Sequence, residues 1–429
     1  MAIFLLTVFG ILMLIGVPIG FVLGLTALFG FFKLGDPTFL TMLPQRFFSA
    51  MNSFAIVALP LFLLAGDIMN KVGLTDRLVN FSNAFFGRVR GGLAQVNIFT
   101  SILFGGISGS AAADTAALGS IFIPSMTKEG YDKDFSAAVT VASSIIAPII
   151  PPSIIMVIYG AIMGVSIAGL FAAGIVPGLM IGLALMLVTR HISKKRNYPR
   201  AEEKPTFKQI FVTTKRAALA LIMPFIILGG ILGGVVTPTE AAAVAVGFAL
   251  FLGLIVYRNL TIKDLYQLFF RTSMMMGIIA LIMSAAAVLA WLLASEQIPE
   301  KVAALFLSLT HNKYLILLLV NLFLILVGMF MDITASLLIL APILAPLATN
   351  LGVDPLHFGI MMCINLNIAL MTPPLGGCLF MAMAISQLEF GRLVRAIWPF
   401  ILVEITVLFL VVYIPDLTLV VPRWLGFID

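Results

Sequence analysis

The chain has 429 residues, 61% hydrophobic and only 10% charged, with a net charge of +6 and a mean hydropathy of +1.16. A soluble globular protein carries about 25% charged residues, so the soluble-enzyme classes are excluded. The positive excess lies in loops between apolar blocks, as the positive-inside rule produces, and does not form a nucleic-acid surface.

Blocks such as 3–32 and 315–331 satisfy the need of a spanning helix for about 20 apolar residues. The chain therefore reads as an all-α polytopic membrane protein. Block 1–32 is either one long tilted span or two short helices bent at Gly16-Val17-Pro18. The internal symmetry described below favours two. No basic leader region or small-residue cleavage site marks a signal peptide. Segment 36–52 reads as an interfacial helix. Segment 71–90 carries Lys71, Arg77, Arg88 and Arg90 and is placed in the cytoplasm.

Block 92–126 is long enough to cross, yet both flanks are cytoplasmic by charge. Its middle is Gly105-Gly106-Ile107-Ser108-Gly109-Ser110. A re-entrant hairpin with a glycine-rich tip accounts for both facts, since irregular backbone is tolerated at depth only against protein or a water-filled cavity. Span 135–164 is interrupted by Pro148 and by Pro151-Pro152, which should break it. Span 167–189 leads to a basic loop, 190–216, holding Arg190, Lys194, Lys195, Arg196, Arg200, Lys204, Lys208, Lys215 and Arg216. The second half follows with spans 217–236 and 240–257, a crossing at 272–294 and an amphipathic stretch at 300–310. Block 315–349 is interrupted around Asp332 and reads as a second hairpin, entering from the opposite face. Span 357–386 is broken at Thr372-Pro373-Pro374, and the last span is 397–414.

The two halves superpose at a shift of 222 residues. Pro151-Pro152 then falls on Pro373-Pro374, Pro124 on Pro346, Gly130 on Gly352, Asp132 on Asp354 and Gly106 on Gly328. The hairpins open to opposite faces, which makes this an inverted-topology repeat. The resulting division is scaffold helices at 1–91, transport elements at 92–189, the basic loop at 190–216, scaffold and amphipathic arm at 217–311, transport elements at 312–390 and a final span at 391–429.

Half-helices that end inside a bilayer leave bare N–H groups at one end and bare C=O groups at the other. The carbonyl ends suit a sodium ion, a hard cation that takes oxygen ligands, and the amide ends suit a carboxylate. The tips supply Ser108 and Ser110, and Asp332 and Thr334. The breaks supply carbonyls at Ala147, Ile150 and Pro152, and at Ala369, Thr372 and Pro374. Glycine and serine also permit close helix packing, and a double proline can be a plain kink. A carboxylate at membrane depth is functional by default, which singles out Asp332. Asp114 is equally deep but can instead contact a neighbouring Ser or Thr. Glu240 and Glu404 read as interhelical or interfacial groups, and Asn365 and Asn367 either ligate or bond between helices. Cys363 and Cys378 read as small apolar core residues. His191, His311 and His357 are too scattered for a metal site. No hydrolase constellation occurs at depth, so the chain is not read as an enzyme.

The runs Gly105-Gly106-Ile107-Ser108-Gly109-Ser110-Ala111-Ala112-Ala113-Asp114 and Pro148-Ile149-Ile150-Pro151-Pro152-Ser153, with Thr372-Pro373-Pro374 and the start Gly16-Val17-Pro18-Ile19-Gly20, resemble the large membrane subunit of tripartite ATP-independent periplasmic (TRAP) transporters. The resemblance covers essentially the whole chain. It implies a bacterial inner-membrane importer of organic acids, such as sialic acid or C4-dicarboxylates, driven by sodium. It also implies a small four-helix membrane subunit, a periplasmic substrate-binding protein and an elevator-type fold of the ion-transporter-superfamily kind. Carried onto this chain, one sodium site involves Ser108, Ser110, Ala147, Ile150 and Pro152. The second involves Gly328, Asp332, Ala369, Thr372 and Pro374. Substrate lies near Ser110, Ser153 and Asp332. A self-sufficient sodium/anion symporter of similar architecture is the alternative within transport.

Overall fold

The computed structural model describes residues 1–35, 37–52, 54–87, 89–200 and 207–428. Its first half comprises α1 (Ala2–Leu14), α2 (Ile19–Leu34), α3 (Pro37–Ser49), α4 (Phe54–Lys71), α5 (Leu74–Phe86), α6 (Gly92–Ser108), α7 (Ala111–Lys128), α8 (Lys133–Ser144), α9 (Ile154–Met163) and α10 (Ile167–Lys195). The second comprises α11 (Phe207–Leu232), α12 (Pro238–Phe251, continued by a π-helical turn at Leu252–Val256), α13 (Ile262–Ser295), α14 (Ile298–Leu309), α15 (Lys313–Gly328), α16 (Ile333–Asn350), α17 (Pro355–Ala369), α18 (Gly377–Ser386), α19 (Phe390–Tyr413) and α20 (Asp416–Trp424).

The helix bounds keep the 222-residue register. The ends of α7 fall on those of α16, α8 and α17 start together, and α9 falls within a residue or so of α18. The caps repeat as well. Ser110 caps α7, its hydroxyl accepting from Ala113 N at 3.4 Å. Its counterpart Asp332 caps α16, Oδ1 accepting from Thr334 N at 2.8 Å. Such capping satisfies donors that the first helical turn leaves bare. In the first half, α3 and α4 are separate helices, and in the second the equivalent stretch is the single 34-residue α13.

Among the described residues, six helices are long and apolar enough to cross a membrane: α10, α12 with its π turn, α13, α16, α19 and the 210–232 part of α11. A pair bent by 69°, residues 56–71 of α4 with α5, makes a seventh where the two are counted as one span. The N-terminal block is two helices divided at Gly16-Val17-Pro18. Pro18 lacks the N–H that would continue α1, and Gly16 takes a positive φ of 84°.

Packing sorts the helices into two sets. α4 lies on α12 and α13, α2 on α13, and α5 on α11. The hairpin helices pack on the broken ones, α6 and α7 on α8, α15 and α16 on α17, and α7 on α18, and the two sets meet where α5 packs on α6 and where α13 and α14 pack on α16. α17 is buried over its whole length after Pro355, and α8 from Phe135 to Ser144. A helix buried all round is a core element, so the two half-helices sit at the centre.

Three segments differ from the sequence expectation. Within 71–90, Leu74–Phe86 is the amphipathic helix α5, burying Leu74 and Leu78, and Arg88 lies outside the described residues. The basic segment 190–216 is largely helical, because α10 runs on to Lys195 and α11 starts at Phe207; Lys204 and the side chain of Lys208 fall outside the described residues. The chain also ends in an additional helix, α20. It packs on α10 and is tied to α17 by His357 Nδ1 and Thr418 Oγ1 at 2.7 Å.

Candidate functional site

Each hairpin tip meets a helix break. α6 stops because Gly109 enters the left-handed region, φ +58°. At that turn the chain closes on the break between α8 and α9. A Cβ on Gly109 would lie 2.5 Å from the Pro152 carbonyl oxygen, and one on Gly105 would lie 2.8 Å from Ala147 Cα. The glycines of this tip are therefore spacers that let two backbones touch. The second half makes a similar contact one position along: a Cβ on Gly328, the counterpart of Gly106, would lie 2.6 Å from Ala369 Cβ. At the 222-residue shift, Ala369 is the counterpart of Ala147.

The first break carries bare acceptors. Among the described residues no main-chain N–H reaches the carbonyls of Ala147, Ile150 or Pro152. In the second break the Ala369 carbonyl accepts from Thr372 N at 3.1 Å, and Thr372 Oγ1 donates to Ile368 O at 2.8 Å. The peptide bonds Pro151-Pro152 and Pro373-Pro374 are both cis. Ser108 Oγ is buried without a hydrogen-bond partner. The first tip and break thus bring Ser108, Ser110, Ala147 and Pro152 into one neighbourhood, with Ile150 half-buried beside them. The second brings Gly328 and Ala369 together, with Thr372 buried nearby and Pro374 exposed.

A cleft of about 250 Å³ joins the two halves. Both tips line it through Ser110, Asp332 and Thr334, and both breaks through Pro148 and Leu370. Four helices begin on it, as its walls include Ala111 of α7, Ile154 of α9, Ile333 of α16 and Gly377 of α18. Helix N-termini carry partial positive charge and bare N–H groups, so their convergence suits an anion. This answers the absence of a basic residue from the walls. Asp332 supplies a negative charge there, which disfavours an anion until a cation neutralises it.

The polar candidates beside the breaks take different places. Ser153 does not line the cleft. It is fully buried, and its hydroxyl donates to the Pro148 carbonyl and accepts from Met156 N at 3.3 Å as the cap of α9. Asn365 bonds between helices, its Nδ2 donating to Asn321 Oδ1 at 2.8 Å. Asn367 does line the cleft. Its Nδ2 donates to Cys363 O at 2.7 Å, leaving Oδ1 unpartnered.

Sequence reasoning missed a buried polar network between α6 and α8. Asn97 Nδ2 donates to Thr140 Oγ1 at 2.7 Å, and Ser101 Oγ donates to Ser143 Oγ at 3.1 Å. The signal was present as polar residues one helical turn apart, at Asn97 and Ser101 and at Thr140 and Ser143.

Comparison with known proteins adds the lineage. Residues 6–417 match the family model described as the tripartite ATP-independent periplasmic transporter, DctM component. The chain is 40% identical over 420 residues, 97% of each protein, to the sialic acid TRAP transporter large permease protein SiaM of Vibrio cholerae. It is 36% identical over 420 residues to the sialic acid TRAP transporter permease protein SiaT of Haemophilus influenzae, covering 98% of this chain and 68% of that one. Among solved structures it resembles the Alcanivorax borkumensis YdaH transporter with a TM-score of 0.60 at 17% identity, covering 90% and 88% of the two chains. That likeness concerns the fold alone.

Proposed function

This chain belongs to the DctM component family of tripartite ATP-independent periplasmic transporters, and from that premise we propose that it is the permease subunit of a sodium-coupled importer of a small organic acid. It is a multi-pass membrane protein of a bacterial transport system and not an enzyme. The observation that carries the proposal is the cleft where both tips, both breaks and four helix N-termini meet.

In this reading the tip-and-break neighbourhood of Ser108, Ser110, Ala147, Ile150 and Pro152 holds one sodium ion. That of Gly328, Asp332, Ala369, Thr372 and Pro374 holds a second. Both lie against the cleft, so sodium supplies the positive charge that the walls lack. The substrate carboxylate then rests on the N-termini of α7 and α16, near Ser110 and Asp332. Ser153 serves by holding the start of α9 in place. Cation and anion stabilise one another's binding, which is the coupling.

The helix-by-helix repeat supports two inverted halves whose hairpins enter from opposite faces. The packing of each hairpin on a broken helix supports an elevator movement of that set against α1–α5 and α11–α14, with α5–α6 and the faces of α13 and α14 on α16 as the surfaces that would slide. The relatives SiaM and SiaT are named for sialic acid, which makes an acidic sugar the first substrate to try. The part of SiaT that this chain does not match leaves room for a small membrane subunit, and the tripartite architecture adds a periplasmic binding protein.

The test is uptake of labelled sialic acid or a C4-dicarboxylate into proteoliposomes containing this chain and its small subunit. Uptake that needs both an inward sodium gradient and the binding protein is expected. Uptake without the binding protein would favour a self-sufficient symporter, and flux indifferent to sodium would remove the sodium reading.

A further inference from the structure

We propose that Asp114, with Ser101 and Ser144, forms a third sodium position, buried between α6, α7 and α8. The proposal rests on the transport reading above but uses none of the residues assigned to the two sodium sites.

Asp114 is completely buried, and neither carboxylate oxygen has a hydrogen-bond partner. The side chains facing it are the hydroxyls of Ser101, from α6, and Ser144, from α8. Both are fully buried and both spend their protons elsewhere. Ser101 Oγ donates to Ser143 Oγ at 3.1 Å, and Ser144 Oγ donates to the Thr140 carbonyl at 2.8 Å. Ser143 passes its own proton toward Asn97 Oδ1 or Thr140 O, so the donor direction of the network leads away from Asp114. What remains around the carboxylate is a set of lone pairs from two carboxylate and two hydroxyl oxygens.

A buried carboxylate without a donor is strongly unfavourable. Asp114, Ser101 and Ser144 thus bring four oxygens from three helices to one buried point. A hard cation of sodium's size takes oxygen ligands at about 2.3–2.6 Å, by analogy with calcium. The field of α7 reinforces the anionic form, since Asp114 lies in that helix's first turn.

The internal repeat argues that the cluster is not structural. The positions equivalent to Ser101, Asp114 and Ser144 are Phe323, Ser336 and Leu366. The corresponding helices α15, α16 and α17 still pack together. One half of the protein therefore builds this helix trio without the carboxylate or the hydroxyl pair, so the other half carries them for something other than packing.

The experiment counts sodium at equilibrium, using radioactive sodium alone as the probe and the purified chain with its small subunit. Asp114→Asn, which keeps shape and removes charge, is expected to bind one sodium fewer per complex than wild type. Ser108→Ala is expected to lose a different one, so the double variant loses two. Should Asp114→Asn fail to fold, Ser144→Ala, which deletes one oxygen, is expected to weaken one sodium severalfold. An unchanged count in Asp114→Asn, or a double variant that loses only one ion, would overturn the proposal. So would an unchanged count accompanied by a lost pH dependence of uptake, which would assign Asp114 to a proton. If Asp114→Asn loses an ion while Ser108→Ala and Asp332→Ala lose none, the two-site reading fails and this one stands.

Discussion

Gly109→Ala isolates the contact on which the proposed first sodium site depends. The new methyl would start 2.5 Å from the Pro152 carbonyl oxygen, where ordinary contact begins at 3.4 Å. Tip and break must therefore separate by about 0.9 Å, whereas metal-ligand distances tolerate about 0.2 Å. The left-handed backbone at Gly109 adds about 1 kcal/mol for any residue with a Cβ. Gly164→Ala is the matched control, because Gly164 has a φ of +66° and nothing within 4 Å of a Cβ. Both variants bear the left-handed backbone cost, and Gly109→Ala should lose further thermal stability in detergent because its methyl must displace backbone. Only Gly109→Ala should raise the sodium concentration for half-maximal uptake, by about 10- to 100-fold, the range seen when the surroundings of a metal site are disturbed. Wild-type sodium dependence in Gly109→Ala, or an equal shift in Gly164→Ala, would refute the reasoning.

Asp332 both caps α16 and faces the cleft, and two substitutions separate the roles. Asp332→Asn should keep the cap and fold while losing sodium-dependent uptake, and Asp332→Ala should lose about 1 kcal/mol of stability as well; uptake and melting curves on both decide it. Breaking the Asn365–Asn321 bond with Asn365→Leu should cost about 0.6–1.7 kcal/mol and leave sodium affinity unchanged, read by melting and by sodium titration. Asp132, in the turn between α7 and α8, has its carboxyl held below the usual range by the hydrogen bond from Tyr198 Oη at 2.7 Å and by Arg196 at 2.9 Å. A depressed carboxylate contributes stability above its unfolded pKa of about 3.9 and loses it as pH falls through its folded value. Tyr198→Phe should accordingly melt slightly earlier at pH 7, and the difference should shrink as pH falls below about 4; the effect is small because the pair is largely solvent-exposed.

The interrupted elements were legible because interruption is written in residue type. Only glycine suits Gly109, and no uninterrupted helix passes Pro151-Pro152 or Pro373-Pro374. Pairing across the halves turned these local signals into an architecture. α5 escaped because its basic residues hid an amphipathic helix that buries only Leu74, Thr75, Leu78 and Ser82. α20 escaped because charge and proline mask its short apolar face. At the site, sequence could nominate Ser153 as a polar residue beside a break. It could not foresee that its hydroxyl would be consumed within its own turn. The convergence of four helix starts depends on how distant segments pack, which no local pattern encodes.

The unequal construction of the two halves has an energetic consequence. Where the first half lays down α3 and α4 as separate pieces, the second lays down one rod of 34 residues, about 51 Å long at 1.5 Å per residue. Were the halves interchangeable, exchanging their conformations would turn the inward-facing form into its outward-facing twin at no net free energy. A stiff member on one side and a jointed one on the other lift that degeneracy. In the proposed elevator the empty carrier would therefore be divided unequally between its two faces, and ligand binding would act on a landscape that is already tilted.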